Sequence, residues 1–272
     1  MPSIAHHLGV DKPLIGMIHV RALPGTPFAK GTLDETIDKA AEEAETLFDL
    51  GFDALCIENM HDRPYLLTEV GPEIVAAMTA VGIAVRSAAP SAPMGVQILA
   101  GANTSALAVA LAVDAQFIRA ENFVFAHVAD EGLMPTASAA VLLRERKRIG
   151  TEHVAIFTDI KKKHSAHAIT GDVTLAQTAH GADFFASDGL IVTGSATGAP
   201  ASAADLIEAR QAAPDLPLLV GSGATPDNIA EMFEHADGVI VGSSIKVDGL
   251  WSNEIDPARS AAVVEAANSA RG

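Results

Sequence analysis

The segment from residue 216 to residue 246 constrains the fold more than any other part of the chain. It contains two short apolar runs, 216–220 and 238–241, and a loop rich in glycine and serine follows each of them. A short amphipathic segment lies between the runs, with Thr225 as the expected N-cap and Pro226 at the first helical position. Two buried strands joined through one helix are typical of a parallel α/β fold.

The two glycine- and serine-rich loops predict a phosphate site. In (β/α)8 barrels, the loops after the last two strands and a nearby helix N-terminus commonly bind the substrate phosphate. Glycines let the backbone approach the anion, and serine hydroxyls and N–H groups donate hydrogen bonds to it. The plainer interpretation is that both loops are ordinary turns. We expect phosphate or substrate binding by Gly221, Ser222, Gly223, Gly242, Ser243 and Ser244.

Six further apolar runs precede this segment and bring the number of predicted strands to eight. Helical patterns alternate with them, and the clearest one begins at a capping box, Thr32 with Glu35, and ends at Gly51. Asn103 is the expected N-cap of a helix over 104–113. Residues 182–186 fit a strand, but 173–187 also fit a helix, and the helix leaves 190–193 as strand six. The other predicted strands are 14–20, 54–57, 94–99, 117–120 and 154–158.

This alternation predicts an α/β fold that is a single (β/α)8 TIM barrel of the phosphate-binding type. The length of 272 residues suits one such barrel, and no low-complexity linker divides the chain, so we expect one domain over residues 1–272. A doubly wound open sheet is the main alternative. It usually carries its phosphate loop after the first strand, where this sequence has no G-x-G-x-x-G motif.

The net charge and the cysteine content limit the classes of binding partner and the cellular compartment that we expect. With 18 basic and 34 acidic residues, the formal charge of −16 argues against a nucleic acid or an anionic membrane as the main partner. The one cysteine, Cys56, lies in an apolar run, which indicates a packing role and suits a reducing cytoplasm. The first residues do not form a signal peptide, and no apolar run is long enough to cross a membrane.

Polar side chains stand at the carboxyl ends of the predicted strands, which meet at one face of a parallel barrel. Glu58 and Glu121 are candidates for an acid, a base or a stabiliser of positive charge, or else for rim ion pairs with Arg63 or Arg119. The further residues that we expect around one pocket are His19, Asn59, Gln97, Asn122, Asp159, Lys161, Lys163, His164, Thr193 and Gly194.

The cluster after strand five is the densest of these groups. Lys161 and Lys163 follow Asp159 in alternation, so an extended segment would project both lysines to one side and form an anion site. A solvated charged loop is the plainer interpretation. No motif calls for a cofactor. A divalent cation held by Asp159 and a glutamate stays open as an alternative.

Several short motifs are spread along most of the chain. They are Gly16-Met17-Ile18-His19, Leu23-Pro24-Gly25, Glu58-Asn59, Gly95-Val96-Gln97, Asp130-Glu131-Gly132, the run from Asp159 to His164, Gly221-Ser222-Gly223 and the run from Gly242 to Lys246. Together these motifs resemble the BtpA family, which includes SgcQ-like proteins, and the resemblance implies a phosphate-binding TIM-type barrel. The family takes its name from a role in photosystem I biogenesis, and its SgcQ-like members are described as nucleosidases or sugar-metabolism proteins.

The resemblance and the residues together predict an enzyme that acts on a phosphorylated ribose compound. The concrete form is cleavage of the N-glycosidic bond of a nucleoside monophosphate by inorganic phosphate or water. The expected catalytic residues are Glu58, Asp159, Lys161 and His164, and the expected substrate-binding residues beyond the glycine and serine loops are His19, Asn59, Lys163, Thr193 and Gly194.

Three alternatives stay open at this point. One is a sugar-phosphate isomerase or an aldolase that forms a Schiff base on Lys161 or Lys163. Another is a non-enzymatic factor for the biogenesis of photosystem I or another membrane complex. The third is a sensor that binds a nucleotide without turnover. Because barrels often associate through their outer helices, we also expect a homo-oligomer.

Overall fold

Eight parallel strands close into a barrel in the computed structural model, which describes residues 3–194 and 198–271. Adjacent strands pair in parallel all the way around the ring, which confirms the predicted (β/α)8 fold. The barrel strands are β1 (Leu14–His19), β2 (Ala54–Glu58), β3 (Met94–Gln97), β4 (Phe117–Ala120), β7 (Ala155–Ile160), β9 (Gly189–Val192), β10 (Leu218–Val220) and β11 (Gly238–Val241).

Helices cover the outside of the barrel and one of its ends. They include α1 (Ile4–Leu8), α2 (Leu33–Leu50), α3 (Pro72–Ala88), α4 (Asn103–Ala112), α5 (Ala139–Arg148), α6 (Leu175–Phe184), α7 (Ala203–Ala212), α8 (Ile229–His235) and α9 (Pro257–Arg271). Within the described ranges, no helix combines the length and the apolar character needed to cross a membrane.

A small antiparallel sheet at the mouth of the barrel was not predicted from the sequence. Asp130 and Glu131 form the turn of a hairpin between β5 (His127–Ala129) and β6 (Gly132–Met134). Strand β8 (Ser165–Ala166) pairs with β5 and ties the loop after β7 to this hairpin. These strands have two or three residues each, too few for an alternating pattern to reveal them.

The caps of the helices agree with the sequence prediction in α2 and differ from it in two others. Thr32 and Glu35 form the capping box, and Gly51 ends α2 in a left-handed conformation. Asn103 does not cap α4, because its side chain donates to the carbonyl of Glu121 and so ties α4 to the end of β4. Helix α8 begins after Asn228, three residues later than a Thr225 cap requires.

Apolar side chains fill the inside of the barrel below its polar mouth. Phe117 and Phe157 stack there with ring centroids 5.3 Å apart. A Cβ atom on Gly95 would lie 2.2 Å from the Phe117 ring, so a glycine is needed at that position. Cys56 is fully buried in this layer, and Ile4 of α1 closes the layer from the opposite end of the barrel.

Candidate functional site

A cavity of about 290 Å³ opens at the carboxyl ends of the barrel strands. Residues from both halves of the chain line it, although they lie far apart in sequence. The predicted site residues that reach it are His19, Glu58, Gln97, Glu121, Lys163, His164, Gly221, Ser222, Gly223, Gly242 and Ser243. The barrel thus brings the glycine and serine loops together with a glutamate and a lysine.

The order of the strands fixes which groups face one another across this cavity. The ring runs β1-β11-β10-β9-β7-β4-β3-β2, so β10 and β11 lie four positions from β3 and β4. In a ring of eight strands, that separation is the opposite wall. The loops after β10 and β11 therefore face Gln97 at the end of β3 and Glu121 just after β4.

The loops after β10 and β11 present backbone donors to the cavity. The N–H groups of Ser222, Gly223 and Ser243 donate to no residue that the structure describes. Gly223 has a φ of +74°, and a Cβ atom there would lie 2.3 Å from the backbone of Pro200. Only glycine fits this turn. The three N–H groups have no acceptor among the described residues and are therefore available to an anion.

Hydrogen bonds hold the neighbouring loop segments in place. The Ser222 hydroxyl accepts from the Gly194 N–H at 2.7 Å and donates to the Ala199 carbonyl at 2.9 Å. Ser244 donates to the Ala224 carbonyl and so joins the loops after β10 and β11. The side chains of these two serines therefore shape the loops, whereas no hydrogen bond to the Ser243 hydroxyl occurs among the described residues.

Arg119 and Asp159 form a buried, bidentate ion pair beneath the cavity. Nε and Nη2 of Arg119 donate to the two carboxylate oxygens of Asp159 at 2.9 and 2.8 Å. Burial works against the charge on Arg119, but the carboxylate of Asp159 outweighs it and raises the arginine pKa. Asp159 thus orients Arg119, which lines the cavity where Asp159 does not.

Glu58 and His19 lie side by side at the ends of β2 and β1. Their nearest side-chain atoms are 3.6 Å apart, which is within the range of an ion pair. Burial lowers the pKa of His19 to about 3, and the charge of Lys246 contributes to this. Burial also raises the pKa of Glu58, although Arg119 and Lys163 oppose the shift. Because the imidazole is neutral and 3.6 Å exceeds a hydrogen-bond distance, the two side chains are in polar contact without an ion pair or a hydrogen bond.

The two lysines after β7 that reach the cavity differ in their partners. Lys162 donates to Glu121 at 3.0 Å; burial opposes its charge, but Glu121 raises its pKa. The ammonium of Lys163 has no hydrogen-bond or ion-pair partner among the described residues. Burial and the nearby Arg119 lower the pKa of Lys163. Its backbone N–H donates to the hydroxyl of Thr193, which fixes its place beside the cavity.

The prediction that Lys161 and Lys163 share one side of an extended segment is wrong. Lys161 has a φ of +49°, a left-handed conformation that turns the chain between the two lysines. Its ammonium donates to the Thr170 carbonyl at 3.4 Å and lies beside a separate small depression that contains His127 and His167. The left-handed turn is invisible in the alternation of the sequence.

Two other predicted site residues have contacts of their own. His164 is half-exposed at the rim of the cavity, with Nδ1 at 3.6 Å from Oδ2 of Asp130. Asn59 does not line the cavity, because its amide donates to Asp62 at 2.9 Å and accepts from the Leu99 N–H at 2.8 Å. Asn59 therefore joins the loops that follow β2 and β3.

Several lining residues were not singled out from the sequence. The guanidinium of Arg63 lies 4.9 Å from the centre of the Trp251 ring, and Tyr65 lies on the same loop as Arg63. Arg119 carries a recognisable signal, since an arginine inside the buried strand pattern 117–120 requires a buried partner. Lys162 was passed over because only its neighbours fitted the assumed alternation.

The structure also bears on the open question of a divalent cation. Over residues 3–194 and 198–271, no three His, Cys, Asp or Glu side chains come together as a metal-binding group. Both oxygens of Asp159, the proposed carboxylate ligand, accept hydrogen bonds from Arg119.

Solved structures with the same fold include enzymes of several kinds. (S)-3-O-geranylgeranylglyceryl phosphate synthase from Thermoplasma acidophilum, in complex with sn-glycerol-1-phosphate, superposes with a TM-score of 0.62 at 14% identity and covers 99% of this chain and 100% of its own. Orotidine 5′-phosphate decarboxylase from Pyrococcus horikoshii gives 0.57 at 13% identity, over 95% and 99% of the two chains. At such identities the likeness shows the fold.

Sequence relatives are much closer than these structures. A Caenorhabditis elegans protein described as mitochondrial is 46% identical over 257 residues, which cover 93% of this chain and 92% of that protein. The photosystem I biogenesis protein BtpA of Synechocystis is 37% identical over 254 residues, or 93% and 87% of the two chains. The BtpA family model matches residues 10–269. The chain therefore belongs to the BtpA family, as its sequence motifs predict.

Proposed function

We propose that this protein is an enzyme that binds a phosphorylated ribose compound and cleaves its N-glycosidic bond. The observation that carries the proposal is that one cavity contains the loops after β10 and β11 together with Glu58, Arg119 and Lys163. A phosphate held by the loops would place the sugar over the carboxylate and the two cations. Binding energy from the remote phosphate would then help to orient the reacting centre.

The phosphate would be bound by the backbone N–H groups of Ser222, Gly223 and Ser243 and by the Ser243 hydroxyl. The same position in other (β/α)8 barrels commonly holds the phosphate of the substrate. Names of solved structures that share the fold refer to phosphorylated compounds, among them sn-glycerol-1-phosphate and orotidine 5′-phosphate. This supports a phosphorylated small molecule as the ligand class.

Cleavage of the glycosidic bond would proceed through positive charge on the sugar. The bond between C1′ and the base nitrogen breaks, an oxygen of inorganic phosphate or water bonds to C1′, and the base nitrogen gains a proton. The carboxylate of Glu58 would stabilise the cationic sugar. Lys163 and Arg119 would bind the attacking phosphate, and His164 at the rim is the candidate to assist the departing base.

Base release from nucleoside monophosphates tests the proposal. The purified chain should release free base from one or more of the common nucleotides, faster with inorganic phosphate if the reaction is phosphorolysis. Glu58→Gln should lower the rate at least about a hundredfold, the usual order for the loss of a catalytic carboxylate or oxyanion donor. Absence of release from every common nucleotide, with or without phosphate, would reject the reaction.

A second candidate function rests on the Lys163 amine. Its lowered pKa and its lack of a described partner are the properties of a lysine that forms a Schiff base with a carbonyl substrate. An isomerase or an aldolase of sugar phosphates would use it in this way. Borohydride in the presence of a sugar phosphate should then add the mass of the reduced adduct to Lys163, and the variant Lys163→Met should show no adduct.

The name of the Synechocystis relative offers a third candidate, a factor in photosystem I biogenesis. Such a role would not depend on the chemistry of the cavity. Complementation with Glu58→Gln and Lys163→Met in a host that needs the protein would separate the two classes, since an assembly factor should tolerate both variants and an enzyme should tolerate neither.

A further inference from the structure

Three residues that line the cavity, Gln97, Glu121 and Glu131, each carry a buried side-chain oxygen that has no hydrogen-bond partner among the described residues. The oxygens are Oε1 of Gln97, Oε2 of Glu121 and Oε2 of Glu131. Gln97 and Glu121 are only 2% and 7% exposed. Buried acceptors without donors destabilise a fold, and native proteins contain few of them. Three in a single cavity indicate that a ligand supplies the donors.

These three residues, which we call the acceptor wall, lie on one side of the cavity. Gln97 ends β3, Glu121 follows β4, and Glu131 lies in the turn of the β5–β6 hairpin that continues from β4. Strands β3 and β4 lie opposite β10 and β11 in the ring. The acceptor wall therefore faces the proposed phosphate loops, and a ligand anchored by its phosphate would present its far end to the wall.

The chemistry of the wall defines what that far end must carry. An ionised carboxylate only accepts hydrogen bonds, and the other oxygen of Glu121 already accepts from Lys162 at 3.0 Å. The two carboxylates repel a phosphate in direct contact with the wall, so an attacking phosphate would lie against Arg119 and Lys163 instead. A carbonyl group would place its lone pairs against the carboxylates, whereas an amino group would supply the missing hydrogens.

Apolar side chains in the same cavity favour a ring as the carrier of those hydrogens. Tyr65 and Leu99 both line the cavity. The Tyr65 hydroxyl donates to the Met60 carbonyl at 2.7 Å, so it is not available to fill the acceptors. An aromatic ring and an aliphatic side chain in the lining offer apolar surface for a planar heterocycle.

We propose that the acceptor wall binds the amino group of a nucleobase, so that the substrate is a nucleoside monophosphate with an amino-bearing base. This inference rests on the proposed function and adds the class of base to it. Cytosine, adenine and guanine each carry an exocyclic amine that can donate to the wall. Uracil has a carbonyl where cytosine has its amine, and hypoxanthine lacks the 2-amino group of guanine.

Equilibrium binding to matched nucleotide pairs tests this inference. Isothermal titration of the full chain with CMP against UMP, and with GMP against IMP, changes the amino group and keeps the phosphate and ribose. We expect the amino-bearing nucleotide to bind about tenfold tighter or more in each pair, the usual effect of a hydrogen bond to a charged group. Equal affinities within both pairs would overturn the inference.

Variants of the wall locate the effect. Glu131→Ala and Gln97→Leu should each reduce the preference for CMP over UMP at least about threefold, since each removes one acceptor. The control is Asp172→Ala, which removes one carboxylate from an exposed residue outside the cavity and should keep the preference. A preference that survives both wall variants would overturn the assignment of the wall, and the wild-type pairs still decide the ligand class if a variant does not fold.

The binding measurement separates this inference from the proposed reaction. Tight, amino-selective binding without base release would support the wall and reject the cleavage. Base release without any preference within the pairs would support the cleavage and reject the wall. No binding of these four nucleotides or of AMP would reject the wall, and absence of base release from every common nucleotide would reject the cleavage.

Discussion

Nε2 of His19 lies 3.6 Å from Oε2 of Glu58. The hydrogen bond made by the other ring nitrogen, Nδ1, decides whether Nε2 carries a proton. Nδ1 of His19 is 2.8 Å from the carbonyl oxygen of Trp251, which can only accept, so Nδ1 carries the proton. The pKa of His19 is lowered to about 3, chiefly by burial, so the ring is neutral and Nε2 is an acceptor. At 3.6 Å this acceptor does not form a hydrogen bond with Glu58, and the pKa of Glu58 is raised chiefly by its burial.

The first prediction concerns the pH dependence of stability at Glu58. Between the ordinary glutamate pKa and the raised pKa of the folded chain, the folded state holds a proton that the unfolded state has lost. The free energy of unfolding should therefore fall as the pH rises through this window. Glu58→Gln has no proton to lose, so it should melt at a higher temperature than the wild type at pH 8.

Thermal melts of both proteins between pH 4 and pH 8 measure this difference, which should shrink toward pH 4. A Glu58→Gln protein that is less stable than the wild type at pH 8 would contradict the raised pKa. The same variant should lose base release, so stability and activity should change in opposite directions.

The second prediction concerns the buried pair of Arg119 and Asp159. Their side chains are 6% and 2% exposed, so Asp159→Ala would leave a buried guanidinium without its partner. We expect a loss of about 3–5 kcal/mol in the free energy of unfolding, measured by denaturant titration. The double variant Arg119→Met with Asp159→Leu removes both charges and should recover most of that stability.

The double variant also tests the role of Arg119 in the cavity. If Arg119 binds the ligand, this stable protein should still fail to bind a nucleotide or to release base. Recovery of activity together with stability would show that the pair serves only the fold.

The third prediction compares the two lysines that the sequence placed together. Lys163→Met should weaken the binding of phosphorylated ligands by about tenfold or more, because it removes a cation from the cavity. Lys161→Met should have a smaller effect, since the Lys161 ammonium bonds to the Thr170 carbonyl outside the cavity. Titration calorimetry with a nucleoside monophosphate measures both losses, and a larger loss for Lys161→Met would contradict this assignment.

The lowered pKa of Lys163 also leads us to expect that ligand affinity falls at alkaline pH. Burial, with the charge of Arg119, lowers the pKa of Lys163, so the ammonium loses its proton at a lower pH than a solvated lysine does. Affinity should fall with rising pH before the ordinary lysine range near pH 10 is reached. Lys163→Arg, which stays charged, should bind with a flatter profile over the same range.

The fourth prediction concerns the turn at Gly223. Gly223→Ala meets both an unfavourable φ of +74° and the backbone of Pro200 at 2.3 Å, so the loop after β10 must move. Gly150→Ala is the matched control, because Gly150 has a φ of +71° with no atom within 4 Å of the added Cβ. Gly150→Ala should lower the free energy of unfolding by about 1 kcal/mol, and Gly223→Ala should lower it by more.

Binding of a nucleoside monophosphate separates the two glycines further. Gly223→Ala should weaken it strongly, since the N–H groups of this loop would no longer point at the phosphate. Gly150→Ala should leave it near the wild-type value. Equal affinities in the two variants would place the phosphate elsewhere.

The barrel could be predicted well from the sequence, because each of its strands and helices has a local sequence pattern. The capping box at Thr32 and Glu35 and the left-handed Gly51 set the limits of α2 without reference to the rest of the chain. Buried parallel strands appear as continuous apolar runs, so β4 was predicted with the limits that the structure shows. Part of the set of residues that line the cavity could be predicted because the carboxyl ends of parallel barrel strands lie at one face.

The sequence predicts side-chain partners poorly, because they depend on packing between distant segments. Arg119 finds Asp159 across the β4–β7 pair, which no local pattern reveals. The left-handed residue Lys161 reverses the side on which its neighbours lie, so an extended alternation gave the wrong lysine pair. The three-residue strands of the hairpin were missed because they form only against each other and against β8.

The lone thiol in the inner layer of the barrel provides a built-in reporter. Cys56 is the one cysteine of the chain and is fully shielded from solvent. Burial raises the pKa of its thiol, so a thiol-specific reagent has neither access nor a reactive thiolate in the folded state. The labelling rate of Cys56 therefore reports how often the barrel opens. A ligand that binds across the cavity and stabilises the closed barrel should lower this rate as the bound fraction of the protein rises.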